Sequence, residues 1–465
     1  MRSSVILGRT ASSRPGRIPW ATVAVVCLLL SLPLATVAGA VPFPSRADGE
    51  GPTATGDGYV LPGIGPLDDL GRLHLQLRAR FEFADLDGGR CCTASNPVFR
   101  ELGSTESEAW TLRTRLGYET FAWQGVSAFV EMENVASPAD GSYFDGVEAP
   151  TGQTLVADPE VLELNRWWLA YQDDAGTTRL SVGRQRLELD DERFVGNEGW
   201  RQNEQTFDSL VLRSSLGIPK LTLTYAYLWR VHRIYGGDSP VVFVGRPEQE
   251  FQTTFNDDYL GDGHLMHASF EAATFLRATA FGYLLDFDNT FMAQRASADT
   301  VGVRADGDIA IDQGIHATYA VSYANQSKSQ AQGPTDYFLA QLALSLPALG
   351  IAEIGVEDCI DSGPCPLQTP LGSMHGFNGW ADAYFERSFP KDVWLGLEPR
   401  TPWPFRIGAV YHRFDDGDAG EEVDAYVVGN VGAHVRALLK VAYFSAPAAE
   451  NLDRLRAWAQ IEFLL

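Results

Sequence analysis

Apolar and polar residues alternate one for one over stretches of about ten residues, and the pattern recurs along most of this chain. Leu73, Leu75, Leu77, Ala79, Phe81 and Phe83 are interleaved with His74, Gln76, Arg78, Arg80 and Glu82. Trp110, Leu112, Leu116 and Tyr118 are interleaved with Thr111, Arg113, Arg115 and Glu119. Residues 221–231 and 435–443 read the same way. A period of two belongs to a strand with one apolar face, and a sustained helical period is rare here. The pattern predicts an all-β protein.

The connections between strands narrow the choice. Strands are expected to begin near residues 71, 109, 124, 162, 177, 206, 219, 264, 275, 299, 309, 335, 349, 391, 404, 421, 434 and 454. Long connections (85–108, 136–161, 188–205, 232–263) alternate with tight ones (122–124, 173–176, 216–218, 272–273). Later tight turns are expected at 306–308, 347–349 and 431–433, and residues 375–388 are expected to be loop. A soluble sandwich has no reason to alternate its loop lengths; an outer-membrane barrel does, with short inner turns and long outer loops. Closure also satisfies every backbone group in lipid. The expected fold is a transmembrane antiparallel β-barrel, porin-like, of about 18 strands, with 16 to 20 admitted by the pattern.

Residues 1–40 read as a secretory signal peptide. Arg2, Arg9, Arg14 and Arg17 precede an apolar stretch over 20–34, and Ala38-Gly39-Ala40 supplies small residues for cleavage. No apolar run of about 18 residues follows, so no transmembrane helix is expected. Residues 41–69, rich in Pro and Gly, are expected to be a flexible periplasmic lead-in, and 70–465 the barrel. Export permits disulfides. Cys359 and Cys365 are close enough in sequence to close a short loop, whereas the cysteines have no histidine at ligand spacing and no metal is expected.

Net charge misleads about such a protein. The chain carries 36 Lys+Arg against 60 Asp+Glu, a formal charge of −24, and no basic run, so nucleic acid is not an expected partner. The acidic residues crowd the long connections: Asp140, Asp145, Glu148, Asp158 and Glu160 in one, Asp415, Asp416, Asp418, Glu421 and Glu422 in another. If apolar residues face lipid, the lumen set includes Arg78, Arg80, Arg113, Arg115, Arg230, Arg406, Arg436, Arg454 and Arg456, opposed by Glu82, Glu119, Glu131, Glu133 and Glu462. These nine arginines are the expected pore-lining, anion-selecting groups. Only four of the 36 basic residues are lysines, leaving 36 − 4 = 32 arginines. A guanidinium binds carboxylates bidentately and stays charged when partly dehydrated. The competing reading is that each lumen arginine pairs with a lumen carboxylate and stiffens the wall.

One stretch is densest in both signs: Gly183-Arg184-Gln185-Arg186, then Asp191-Glu192-Arg193-Phe194-Val195-Gly196-Asn197, then Trp200-Arg201-Gln202-Asn203-Glu204-Gln205-Thr206-Phe207-Asp208. Charge of that kind predicts a third outer loop folded into the lumen and held by ion pairs. The stretch resembles the signature of the alginate export family of outer-membrane proteins. His375-Gly376-Phe377-Asn378-Gly379-Trp380-Ala381-Asp382 is similar to that family's second motif. The resemblance spans roughly 70–465. It implies an eighteen-stranded barrel with an arginine-rich constriction that conducts a polyuronate outward, and marks as site residues Arg184, Arg186, Asp191, Arg193, Asn197, Trp200, Arg201, Gln202, Asn203, Glu204, Asp208, His375, Asn378, Trp380 and Asp382.

Enzymatic readings are poor. Gly-x-Ser-x-Gly is absent, and His264 and His267 fall on a strand rather than in a His-Glu-x-x-His helix. No cofactor is expected. The expected partners are an anionic polysaccharide or small anionic solute, outer-membrane lipid, and the barrel assembly machinery. The machinery is expected to read the last strand, where Ala457, Ala459, Ile461, Phe463 and Leu465 share a face. The alternative function is uptake of small anionic or sugar solutes.

Overall fold

The computed structural model describes residues 59–60, 70–86, 105–138, 142–147, 153–236, 242–244, 251–253, 258–289, 291–312, 314–328, 334–360, 367–384, 391–415, 418–447 and 453–464. The signal-peptide region, nearly all of the expected lead-in, Cys91, Cys92 and Cys365 lie outside them.

Eighteen antiparallel strands form a closed barrel. They are β1 (Gly71–Leu86), β2 (Thr105–Thr120), β3 (Val126–Ala136), β4 (Val161–Gln172), β5 (Thr178–Gln185) and β6 (Thr206–Ser214). Next come β7 (Leu221–His232), β8 (Tyr259–Ala273), β9 (Leu276–Phe287), β10 (Ala298–Asp312), β11 (Ile315–Lys328) and β12 (Thr335–Leu346). The ring is completed by β13 (Gly350–Cys359), β14 (Asp392–Pro399), β15 (Phe405–Phe414), β16 (Gly420–Asn430), β17 (Val435–Ser445) and β18 (Arg454–Leu464). Each strand pairs with its neighbours in sequence, and β1 pairs with both β2 and β18, so no edge is left open. β18 stops at Leu464 opposite Gln76; beyond it, Tyr59–Val60 pairs with His74 and Leu75 and continues the sheet.

Most strand starts fall within a few residues of their expected positions. One turn does not. Asp306-Gly307-Asp308 is the middle of β10, and the chain reverses only after Asp312. Those residues look like a turn because they meet one. A Cβ at Gly307 would lie 2.2 Å from the Phe275 carbonyl oxygen of the preceding turn, so only glycine admits that approach. Asp306 is held by Arg277 and Arg304, and the Asp308 amide donates to the Thr274 carbonyl.

The outer face is the expected apolar one: Leu112, Leu116, Met132, Leu169, Val301, Val303, Val423 and Ile461 are exposed there. Arg184 and Arg186 share parity with the outward Leu180 and Val182, but β5 ends at Gln185, which frees Arg186 from the strand register. The inner face departs from the simple rule that polar residues point inward. Phe281, Tyr283, Tyr337, Trp394, Val410, Tyr426, Phe444 and Trp458 also face the interior and are buried. They are covered by loop residues Leu187, Val195, Trp200, Leu371 and Trp380. The inserted loops give the lumen a hydrophobic core, which strand alternation does not encode. Cys359 is disulfide-bonded; Cys365, its expected partner, is outside the described residues.

Candidate functional site: two loops inside the barrel

Among the described residues, two connections on the long-loop side carry the motifs and fold into the lumen, and a third, 153–160, brings Asp158 in beside them. The first runs from Arg186 to Gln205 between β5 and β6; the second is the described segment 367–384 between β13 and β14. They interlock. Val195 bridges Leu371 in a parallel step, the Gly196 amide donates to the Leu371 carbonyl at 2.7 Å, and the Ser373 amide donates to the Glu192 carbonyl at 2.9 Å. Gln205 donates to the carbonyls of both Gly196 and Leu371. The two motifs quoted above are therefore one structural unit.

Beneath this unit stand Arg78, Arg80, Arg113 and Arg115 on β1 and β2, none more than 2% exposed. Arg78 donates to Glu462 at 3.0–3.1 Å and to the Gly199 carbonyl at 2.9 Å. Arg80 donates to Gln460 and the Trp200 carbonyl, lies 3.4 Å from Asp158, and stacks 4.2 Å from the Trp200 ring. Arg113 reaches the Gln202 carbonyl and Glu462. Arg115 pairs with Glu133 and lies 3.4 Å from Glu204. Neighbouring strands bring the four guanidiniums together, and the first loop covers Arg78, Arg80 and Arg113 with backbone carbonyls and Arg115 with the Glu204 carboxylate.

Arg456 joins the same cluster, 2.7 Å from Glu82 and 3.6 Å from Asp382, and Arg454 donates to the Asp382 carbonyl at 2.6 Å. Of the other three expected wall arginines, two stand apart and Arg436 flanks the cluster through Glu462. Arg230 pairs with Asp258 near the long-loop end, and Arg406 pairs with Glu398 near the short-turn end. Arg436 sits opposite Glu462 in register, also toward the short turns.

The motif residues hold the loops to each other and to the wall. Arg184 pairs with Asp208, which also meets His232. Arg186 bonds Glu204 at 2.6 Å, and Asn165 donates to the other Glu204 oxygen. Burial alone would raise the Glu204 carboxyl, but Arg115, Arg186 and Arg166 hold it well below the carboxylate range. Arg193 pairs with Glu357 and stacks 3.9 Å from Phe377, while Asp191 meets Arg304 at 3.0 Å. Asn197 takes the Gly199 amide, Gln202 donates to Thr111, and Asn203 donates to the Ile234 carbonyl. Asp190 faces His267, so the Asp190-Asp191-Glu192 run is engaged by protein groups.

At the centre is a chain of side chains. The Lys440 ammonium donates to His375 Nε2 at 2.9 Å, so Nδ1 carries the proton and donates to Asp382 at 2.8 Å. Arg201 reaches Asp382 at 2.8 Å. Trp200 stacks on His375 at 4.4 Å, and Lys440 sits 3.8 Å from the Trp380 ring and 4.2 Å from Trp200. Burial and the Lys440 charge hold His375 well below its ordinary value. Burial would raise Asp382, but His375, Arg456 and Arg201 hold it far below the carboxylate range. Asn378 and Gly379 turn the loop with φ of 57° and 81°, bringing the Ala381 amide to 2.7 Å from Glu422; a Cβ at Gly379 would strike that carboxylate.

Two features were missed by sequence reasoning. Asp158 and Glu422 were grouped with exposed acidic loops. Both are fully buried: Asp158 under Arg80, accepting the Gln202 amide at 2.8 Å, and Glu422 on β16 beneath the second loop. The wall of β13–β16 is acidic, carrying Glu353, Glu357, Asp392, Glu422 and Asp424 around His412. The parity signal was present: Glu353 and Glu357 flank outward Ile354 and Val356, and Glu422 and Asp424 flank outward Val423. The lumen thus carries a basic wall on β1, β2 and β18 and an acidic wall on β13–β16.

A closed antiparallel barrel with an apolar outer face, short turns at one end and long loops folded inward is an outer-membrane protein of the porin kind. The family model for alginate export matches residues 72–330, and the chain belongs to that family. No curated protein matches the chain in sequence. Among solved structures, OpdK of Pseudomonas aeruginosa with vanillate is similar at a TM-score of 0.61 and 11% identity, covering 86% of this chain and 99% of that one. OccK9 (OpdG) of the same species gives 0.60 at 13% identity, with 86% and 99% covered. A BenF-like porin from Pseudomonas fluorescens Pf-5 gives 0.56 at 10% identity, with 84% and 99% covered. At such identities the likeness is one of fold.

Proposed function

We propose that this protein is an anion-preferring outer-membrane channel that conducts an anionic polysaccharide such as alginate outward. The observation that carries the reading is the convergence of Arg78, Arg80, Arg113, Arg115, Arg201 and Arg456 in one lumen region under the motif loops of an alginate export family member. With the loops docked these arginines are paired and buried rather than lining open water, so they act on a passing carboxylate only where the first loop moves aside, and there the attraction exceeds its bulk-water value. The family and the shared fold support a transport protein over an enzyme. In this reading residues 1–40 are removed as a signal peptide, 41–69 are the periplasmic lead-in apart from Tyr59–Val60, which adds to the barrel sheet, and the assembly machinery inserts 70–465. Uptake of small anionic solutes is the second reading, supported by a fold shared with a porin solved with vanillate.

Planar-bilayer recording tests both. Anion preference in a salt gradient, with block by alginate oligomers added from the short-turn side, supports export. Anion preference with block by small carboxylates alone supports uptake. A cation-selective wild type removes the basis for both readings.

A further inference from the structure

Resting on the channel reading, we propose that segment 367–384 is a pH-released latch on the first inserted loop, with Glu198 as its trigger. Glu198 sits at the seam of the two loops. Its carboxyl accepts the Met374 amide at 3.0 Å, and its own amide donates to Ser373 Oγ at 3.0 Å. Ser373 Oγ in turn donates to Glu192 at 2.8 Å. Two glutamates of the first loop therefore grip residues 373 and 374 of the second.

The groups facing Glu198 are mixed. Arg201 on its own loop and Arg233 past the end of β7 favour the charge; Asp382 on the facing loop opposes it. Burial, helped by Asp382, outweighs the Met374 amide and the two arginines and pushes the Glu198 carboxyl up to about 7. Arg201 is already engaged by Asp382 at 2.8 Å and by Glu82 at 3.6 Å, which limits what it offers Glu198.

The backbone at the seam is strained in a way that suits release. Among the described residues nine non-glycine residues have positive φ, and five lie in these two loops: Asp190, Glu192, Glu198, Asn378 and Asp382. Such strain persists only while surrounding contacts over-determine it. Below neutral pH the neutral Glu198 keeps the seam intact. Above it, an ionised carboxylate buried near Asp382 weakens the seam, and undocking exposes Glu198 to water and frees the first loop, whose Gly199 and Gln202 carbonyls cover Arg78 and Arg113, to move off them. A carboxyl near 7 when docked and near 4.5 when free shifts the docked-to-undocked ratio by on the order of a hundredfold across that range.

The test uses the full chain in lipid, with two readouts. Hydrogen exchange at residues 371–382, corrected for intrinsic rates, reports the latch directly; single-channel conductance reports the pore. Between pH 5.5 and 8.5 the wild type should lose protection in 371–382 and gain conductance. Glu198→Gln keeps the amide acceptor without the charge and should stay protected and low in conductance at pH 8.5. A second variant, Val195→Cys with Leu371→Cys, joins the bridged pair; its oxidised form should be protected and low at every pH, and reduction should restore the wild-type response. Protection that is flat with pH, or a Glu198→Gln response like the wild type's, overturns the latch while leaving the channel reading intact. Loss of protection with no conductance at any pH overturns the channel reading instead, and with it the latch as a gate.

Discussion

Replacing Asp382 with asparagine should cost about 3 kcal/mol of folding stability at neutral pH. The carboxylate accepts from His375 Nδ1 and from Arg201, both at 2.8 Å, and lies 3.6 Å from Arg456. It is 8% exposed. Removing one member of a buried ion cluster strands the others, which typically costs about 3–5 kcal/mol. The low end applies because Glu82 remains, 2.7 Å from Arg456 and 3.6 Å from Arg201. Asparagine preserves volume, so packing around Trp380 and Trp200 is not the variable. The pH dependence has a definite sign. Asp382 is held below its ordinary range, so its contribution is full above the unfolded value near 4 and fades as pH falls toward the folded one. The difference between wild type and Asp382→Asn should therefore be widest above pH 5 and shrink on acidification. Urea unfolding in lipid vesicles measures it. Glu271→Gln is the control, since its partner Lys220 is half exposed and the pair should contribute under about 1 kcal/mol. A difference below about 1 kcal/mol for Asp382→Asn at pH 7, or one that does not shrink with acid, would refute the reasoning.

Other outcomes follow from the barrel. Val303, exposed at 55% on the outer face of β10, should lie in hydrocarbon, so Val303→Arg should destabilise by about 2–4 kcal/mol in vesicles; a loss under about 1 kcal/mol would move β10 out of the membrane band. Cys359 should be found linked to Cys365 in non-reduced peptide maps, and reduction should cost at most about 2 kcal/mol because the loop is short; a free thiol at Cys365 would reject that pairing. Unheated protein should migrate faster than boiled protein in SDS gels, as a closed barrel without edges resists the detergent; equal mobility would argue against closure.

Strand number and facing were legible in the sequence because they are local. A period of two over ten residues names a half-buried strand wherever it occurs, and alternating loop lengths separate the two ends of a barrel. The inward facing of Arg78 and Arg113 is set by their immediate neighbours, and so is that of Glu353 and Glu422. What the inward groups meet was not local. Arg78 and Glu462 are 384 positions apart and become partners only because β1 and β18 close the ring. Asp158 and Trp200 have the composition of exposed loops, and nothing periodic marks a loop that turns inward. Whether a lumen arginine lines water or is buried against a carbonyl depends on where two long connections fold. That choice belongs to the tertiary structure, since it is made by contacts among β1, β2, β16, β17, β18 and both loops at once. The sequence by itself determined the barrel and its polarity; the closed structure decided that its charges are paired, covered and sorted onto separate walls.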